Sequence, residues 1–155
     1  MREISYRAWL KDEKKMVEVK SIHFGTKKII YGYSENSHSY GNVSCKFDDC
    51  EIMQYTGLKD KNGTKIFEGD IVKVLGMVGK IIYEYGSFGI AFDDCVDYKK
   101  LDDFTKIRIG NNFSGVCCDN FISLYEVYWN LNNLDECLHE VKIIGNVFDN
   151  KLEEL

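Results

Sequence analysis

Apolar and polar residues alternate with a period of two through most of this chain. In REISYRAWL, Ile4, Tyr6, Ala8 and Leu10 fall on one side, and Arg7 and Trp9 on the other. Such alternation marks a β-strand with one face in a core. KDEKK then reads as a turn, MVEVKSIHF as the returning strand and KKIIYGY as a third. The polar SENSHSYGN (34–42) is a loop, and VSCKF and EIMQYT are further short strands. DIVKVLG and GKIIYEYGSFGIAF continue the pattern, with Gly86 and Gly89 bracketing a tight turn. DDCVDYKKLDDFTK (93–106) is a polar, acidic loop. NFISLYEVYWNLNN (120–133) is long enough for a helix, but its β-branched and aromatic content favours a strand. NNLDECLHE carries a capping asparagine before an acidic turn, which predicts a short helix. VKIIGNVFDN predicts a strand, a turn at Gly145 and Asn146, and another short strand.

The joint in the middle, QYTGLKDKNGTKIFEGDIVKV (54–74), is the densest in turn residues. Gly57 follows a strand end and permits φ > 0 there. Asn62-Gly63 is a strong signal for a tight reversal. Asp60 can close an Asx turn on its own backbone. Gly69 immediately precedes the apolar IVKV. Each unusual residue therefore has a backbone role, and the stretch reads chiefly as architecture. A functional loop is the competing reading, because sites gather on loops held by rigid scaffolds.

Composition strengthens the folded reading: 45% of residues are hydrophobic, 14% aromatic and none is proline. Charge is uneven. Residues 1–83 carry 14 Lys/Arg against 11 Asp/Glu, a net of +3, whereas residues 84–155 carry 6 against 14, a net of −8. The acidic half disfavours duplex DNA, whose non-specific binding depends on Lys and Arg at phosphates. It is either a solvated face or a surface that docks a basic partner, with Asp93, Asp94, Asp97, Asp102 and Asp103 as its centre. The start lacks the apolar core of a secretory signal, and no window approaches a membrane span. A cytoplasmic protein without a membrane partner is the expectation.

The six cysteines show no C-x-x-C spacing, so free, mostly buried thiols are expected rather than a zinc site. No phosphate-loop, nucleophile-elbow or H-E-x-x-H motif is present. Cys137 and His139 share a side only if they lie on a strand. No cofactor and no metal are expected, and no catalytic residue is assigned. Candidate binding residues are Arg7 and Trp9, which form either a stacking platform for a base or ring or a cation–π pair with each other. Gln54, Tyr55, Lys59 and Asp60 are candidates within the joint. Glu68 and Asp70 could do acid–base work or hold a metal, or else cap backbone N–H groups.

Three blocks, MREISYRAWLKDEKKM, MQYTGLKDKNGTKIFEGDIVKV and VKIIGNVFDNKLEEL, resemble the YopX family of phage and prophage proteins in the family's order. Where the family ending has proline after the asparagine, this chain has Lys151. The resemblance implies a mainly β protein of a phage or prophage in a bacterial host cell, and it carries no enzymatic activity. The expected organisation is one domain over 1–155: an N-terminal antiparallel β region (1–56), the turn-rich joint (57–70), a small SH3-like barrel (71–148) and a tail (149–155). At most one or two short helices are expected. The leading function is a non-enzymatic accessory protein that binds a host or phage macromolecule, with a protein as the expected partner and self-association open. The alternatives are a small-ligand or nucleotide binder, or a nucleotide-processing protein directed against host defence, with phosphate on Arg7, Lys59 or Lys61. A further alternative is single-stranded nucleic-acid binding by the barrel, with Trp9 or Tyr55 stacking on bases.

Overall fold

The computed structural model describes residues 3–32, 43–92, 120–130 and 135–149. The chain divides into two compact units, Met1–Tyr55 and Thr56–Leu155. Both are built mainly from strands, as the alternation predicts.

The first unit is an antiparallel sheet. Strands β1 (Tyr6–Leu10), β2 (Lys15–His23), β3 (Lys28–Tyr31) and β4 (Val43–Lys46) follow one another as neighbours. A single 3₁₀ turn, Phe47–Asp49, then leads into β5 (Cys50–Asp60), which pairs with β1 on the opposite edge. Three residues span only about 10 Å, so the sheet must curl to bring those edges within reach. Its core is the face carrying Ala8, Leu10, Ile29, Tyr31 and Cys50, with Val17, Val19 and Ile52 beside them.

Strand β5 continues beyond the first unit. Gly57 lies within it at φ +92°, and the strand changes partners around that kink. Cys50–Gln54 pair with β1, whereas Lys59 and Asp60 pair in parallel with β11 (Cys137–Leu138), and β6 (Lys65–Phe67) pairs with β5 as well.

The second unit centres on a sheet of order β10–β9–β8–β7–β12. Its strands are β7 (Asp70–Val74), β8 (Met77–Glu84), β9 (Ser87–Phe92), β10 (Phe121–Ser123) and β12 (Val141–Asn146). One face buries Val72, Val74, Ile81, Ile90, Ile122 and Val141 together with Ile66 and Leu138. The small barrel expected here has no closing ladder between β10 and β12 among the described residues.

Helix α1 (Leu124–Asn130) covers the buried face through Leu124 and Val127. The strand expected over 120–133 therefore ends after Ser123. The switch is a reciprocal cap. The Glu126 N–H donates to Ser123 Oγ (3.1 Å), and the Ser123 N–H donates to Glu126 Oε2 (3.2 Å). Those bonds satisfy backbone donors that a helix start leaves open. Ser123→Ala is expected to lower stability by about 1 kcal/mol, read as a shift of the urea midpoint.

Three other local expectations need correction. No helix forms in the described part of NNLDECLHE, residues 135–140, where Cys137 and Leu138 are strand β11 and complete the parallel ladder on β5. Gly145 and Asn146 do not form a turn. They close β12 after a register shift between Ile143 and Gly145, and the reversal follows at Val147–Asp149. Gly89 does not bracket a turn but lies in β9, while the two-residue turn is Tyr85-Gly86.

Candidate functional site

The joint is held by one carboxylate. Asp60 is 1% exposed. Its Oδ1 accepts the N–H groups of Asn62 (2.9 Å) and Thr64 (3.0 Å), and its Oδ2 accepts the N–H of Ile143 (3.1 Å). The first two bonds form the reversal through Asn62 and Gly63 (φ +79°), and the third ties that reversal to β12. Asp70, also buried, accepts the Phe67 N–H at 2.8 Å. Between them Gly69 sits at φ +81°, donates its N–H to Ile81 O (2.8 Å) and accepts from the Val147 N–H (2.9 Å). Gly57, Gly63 and Gly69 thus all adopt the left-handed backbone that glycine tolerates.

The other candidates are spread over both units. In the first, Arg7 and Trp9 share the face of β1 opposite Ala8 and Leu10, both half-buried. Arg7 stands across from Glu18 and Met53, and Trp9 across from Met16 and Glu51. Gln54 pairs with Tyr6 on the other face. Tyr55 is 2% exposed, so its ring cannot stack on a base. In the second unit, Lys59 pairs with Glu136, and Glu68 is half-buried next to Gly69. Asp93, Asp94, Asp97, Asp102 and Asp103 lie outside the described residues.

The first unit also holds an open cavity of about 370 Å³. Its lining mixes the carboxylates of Asp12, Glu13 and Asp49 with Lys28 and Lys46, so neither sign of charge dominates. Cys45 lines it too. The Cys45 and Cys50 thiols both donate to the Lys46 carbonyl, at 3.4 and 3.3 Å. Burial pushes the Cys50 thiol up to about 12, with Cys45 adding to the effect, and burial raises Cys45 as well. Nucleophilic cysteines need a depressed value, so these two are packing residues. No group of three or more metal-ligating side chains occurs among the described residues.

The feature that sequence reasoning missed is the outer face of the second unit's sheet. Residues directly opposite in an antiparallel pair share a face. Lys142 stands across from Lys73 on β7, and Lys80 on β8 lies on the same side, across from Ile71. All three lysines are exposed. The next positions along the Lys80 row are Ala91 and then Phe121. The Phe121 ring lies over Gly89, where any Cβ would strike it. Tyr85, 75% exposed at the tip of the β8–β9 hairpin, meets Phe121 edge-on with centroids 5.5 Å apart. Helix α1 shows two more exposed rings, Tyr125 and Trp129, one turn apart and 6.1 Å between centroids. Alternation in IVKV, GKIIY and VKII places each lysine on a solvent face, but only the strand register brings them together.

Comparison with known proteins adds a family and a fold. No curated protein matches the chain. Among solved structures, the crystal structure of protein EF1440 from Enterococcus faecalis is similar in fold, with a TM-score of 0.53 at 24% identity over 97% of this chain and 96% of that one. The family model of the YopX protein matches residues 5–153, nearly the whole length, and the chain belongs to the YopX family.

Proposed function

We propose that this protein acts by binding a macromolecule through the outer face of its second sheet, as an accessory protein of a phage or prophage. The observation that carries the reading is the placement of Lys73, Lys80 and Lys142 on the same face of the sheet as the Tyr85–Phe121 ring pair, of which Tyr85 is exposed. Like charges directly opposite on a sheet are destabilising, and Lys142 faces Lys73 in that arrangement. The exposed Tyr85 ring on the same sheet adds aromatic contact surface of a kind enriched at interfaces. Of the two carboxylates weighed for acid–base chemistry, Glu68 and Asp70, the second is buried and accepts a backbone N–H.

The test is affinity capture from a bacterial lysate with the wild type and a Lys73→Glu/Lys142→Glu variant, at several salt concentrations. The expected result is a stoichiometric partner that the wild type retains and the variant loses. Equal recovery by both, or no partner at any salt concentration, sinks the reading.

A further inference from the structure

We infer that the partner of this face is single-stranded nucleic acid, with its phosphates on Lys73, Lys80 and Lys142 and its bases stacked on Tyr85 and Phe121. The inference rests on the binding reading above and names the occupant of the same face.

The first argument is charge. Lys142 and Lys73 are neighbours across two strands, and Lys80 is diagonal to Lys73 one strand further on. With strands about 4.8 Å apart and residues of one face about 6.8 Å apart along a strand, the three form a continuous basic stripe. None of them makes an ion pair among the described residues. Glu84, at the hairpin tip, is the one carboxylate that the described strands place on this face. Of the other described acids in residues 84–155, Glu126 serves the helix cap, Glu136 pairs with Lys59 and Asp135 accepts the Cys137 N–H. The stripe therefore suits a polyanion and opposes a basic protein.

The second argument is the backbone of the hairpin. Leu75-Gly76 and Tyr85-Gly86 are both two-residue turns with φ > 0 at each position: +48° and +87°, and +51° and +78°. Asn-Gly is the favoured pair for that geometry, and other residues are strained there. Leu75 is explained by its packing against the buried core. Tyr85 has no such packing, since its ring is largely exposed and meets the half-buried Phe121 ring edge-on. The exposed Lys14 and Lys27 share that backbone, and what sets Tyr85 apart is a ring that meets Phe121 on the lysine face. A lysine-lined surface with flat rings is how single strands are held without sequence preference, phosphates on the cations and bases on the rings. A duplex would hide its base faces from Tyr85 and Phe121.

The experiment is fluorescence anisotropy with a labelled 15-nucleotide thymidine strand and a duplex of the same length, between 50 and 200 mM salt. The single strand is expected to bind saturably and more tightly than the duplex. Its log K against log salt should have a slope of about −2, from three phosphates at about 0.7 each. Lys73→Gln/Lys142→Gln should reduce that slope to about −0.7 with a melting temperature no lower than the wild type's, since the facing like charges are removed. Tyr85→Asn should weaken binding by about fivefold or more while raising the melting temperature, because asparagine accepts the left-handed backbone. A structural role for Tyr85 would move both readouts in one direction. The inference is overturned by no saturable binding, by a wild-type slope in the double lysine variant, or by undiminished binding of Tyr85→Asn. If the oligonucleotide fails while the lysine variant still loses a partner from lysate, the nucleic-acid assignment falls and the wider binding reading stands. If the variant also keeps every partner, both fall.

Discussion

Asp60→Ala is expected to lower the unfolding free energy by on the order of 3–5 kcal/mol. The carboxylate accepts three backbone N–H groups, from Asn62, Thr64 and Ile143, at a site that is 1% exposed. Each bond to a charged acceptor contributes about 1.5–3 kcal/mol, and each donor left buried without an acceptor costs about 1–3 kcal/mol. The losses overlap, since alanine leaves a gap that admits some water to the reversal. Asp60→Asn separates the terms. Its remaining oxygen can serve Asn62 and Thr64, but its amide nitrogen then faces the Ile143 N–H, donor against donor. The loss should be smaller, about 2 kcal/mol. Urea unfolding of both variants gives the two numbers. An Asp60→Ala variant within 1 kcal/mol of wild type would mean that the carboxylate does not hold the reversal to β12.

Gly69→Val is the second large effect expected, on the order of 1–3 kcal/mol. A β-branched residue is a genuine outlier at φ +81°. Relaxing φ is blocked, because the Gly69 N–H is fixed to Ile81 O and its carbonyl to the Val147 N–H. Lys61→Ala is the control. Its side chain is exposed, and changes at such positions move stability by under about 0.5 kcal/mol. The two variants, measured in one urea series, test whether the joint is architectural. Equal stabilities, with binding lost in Lys61→Ala, would return the stretch to the functional-loop reading.

Much of this fold is legible in short windows, and the reasons are local. Period-two alternation finds β1 because Ala8 and Leu10 are buried while Arg7 and Trp9 are only half so. Glycine conformations are legible because the left-handed backbone excludes most other residues at Gly57, Gly63 and Gly69. The helix over Leu124–Asn130 was hidden by its tyrosines, tryptophan and valine, which favour strands. The readable clue was Ser123 and Glu126 at capping-box spacing. Asp60 could be read as closing its own turn, but its bond to Ile143 spans 83 residues and has no local trace. The lysine face is illegible for the same reason. Alternation tells which lysines face outward on each strand, and only the register tells which strands are neighbours.

The long-range bond of Asp60 also sets an order of assembly. In the first unit β1, β2 and β3 pair through short hairpins and one 3₁₀ turn leads into β5, so those ladders can form as soon as residues 1–55 leave the ribosome. The second unit cannot finish then. Its buried carboxylate waits for Ile143, and closing a loop of 83 residues costs about 4 kcal/mol of chain entropy. The N-terminal ladders can therefore pair while β5 still projects a half-made strand. During that interval the free edge of Lys59 and Asp60 is open to any extended segment, and β11 must reach it before a neighbouring nascent chain does. Slow translation through the last third of the message would lengthen that exposure, and the yield of soluble protein would fall with it.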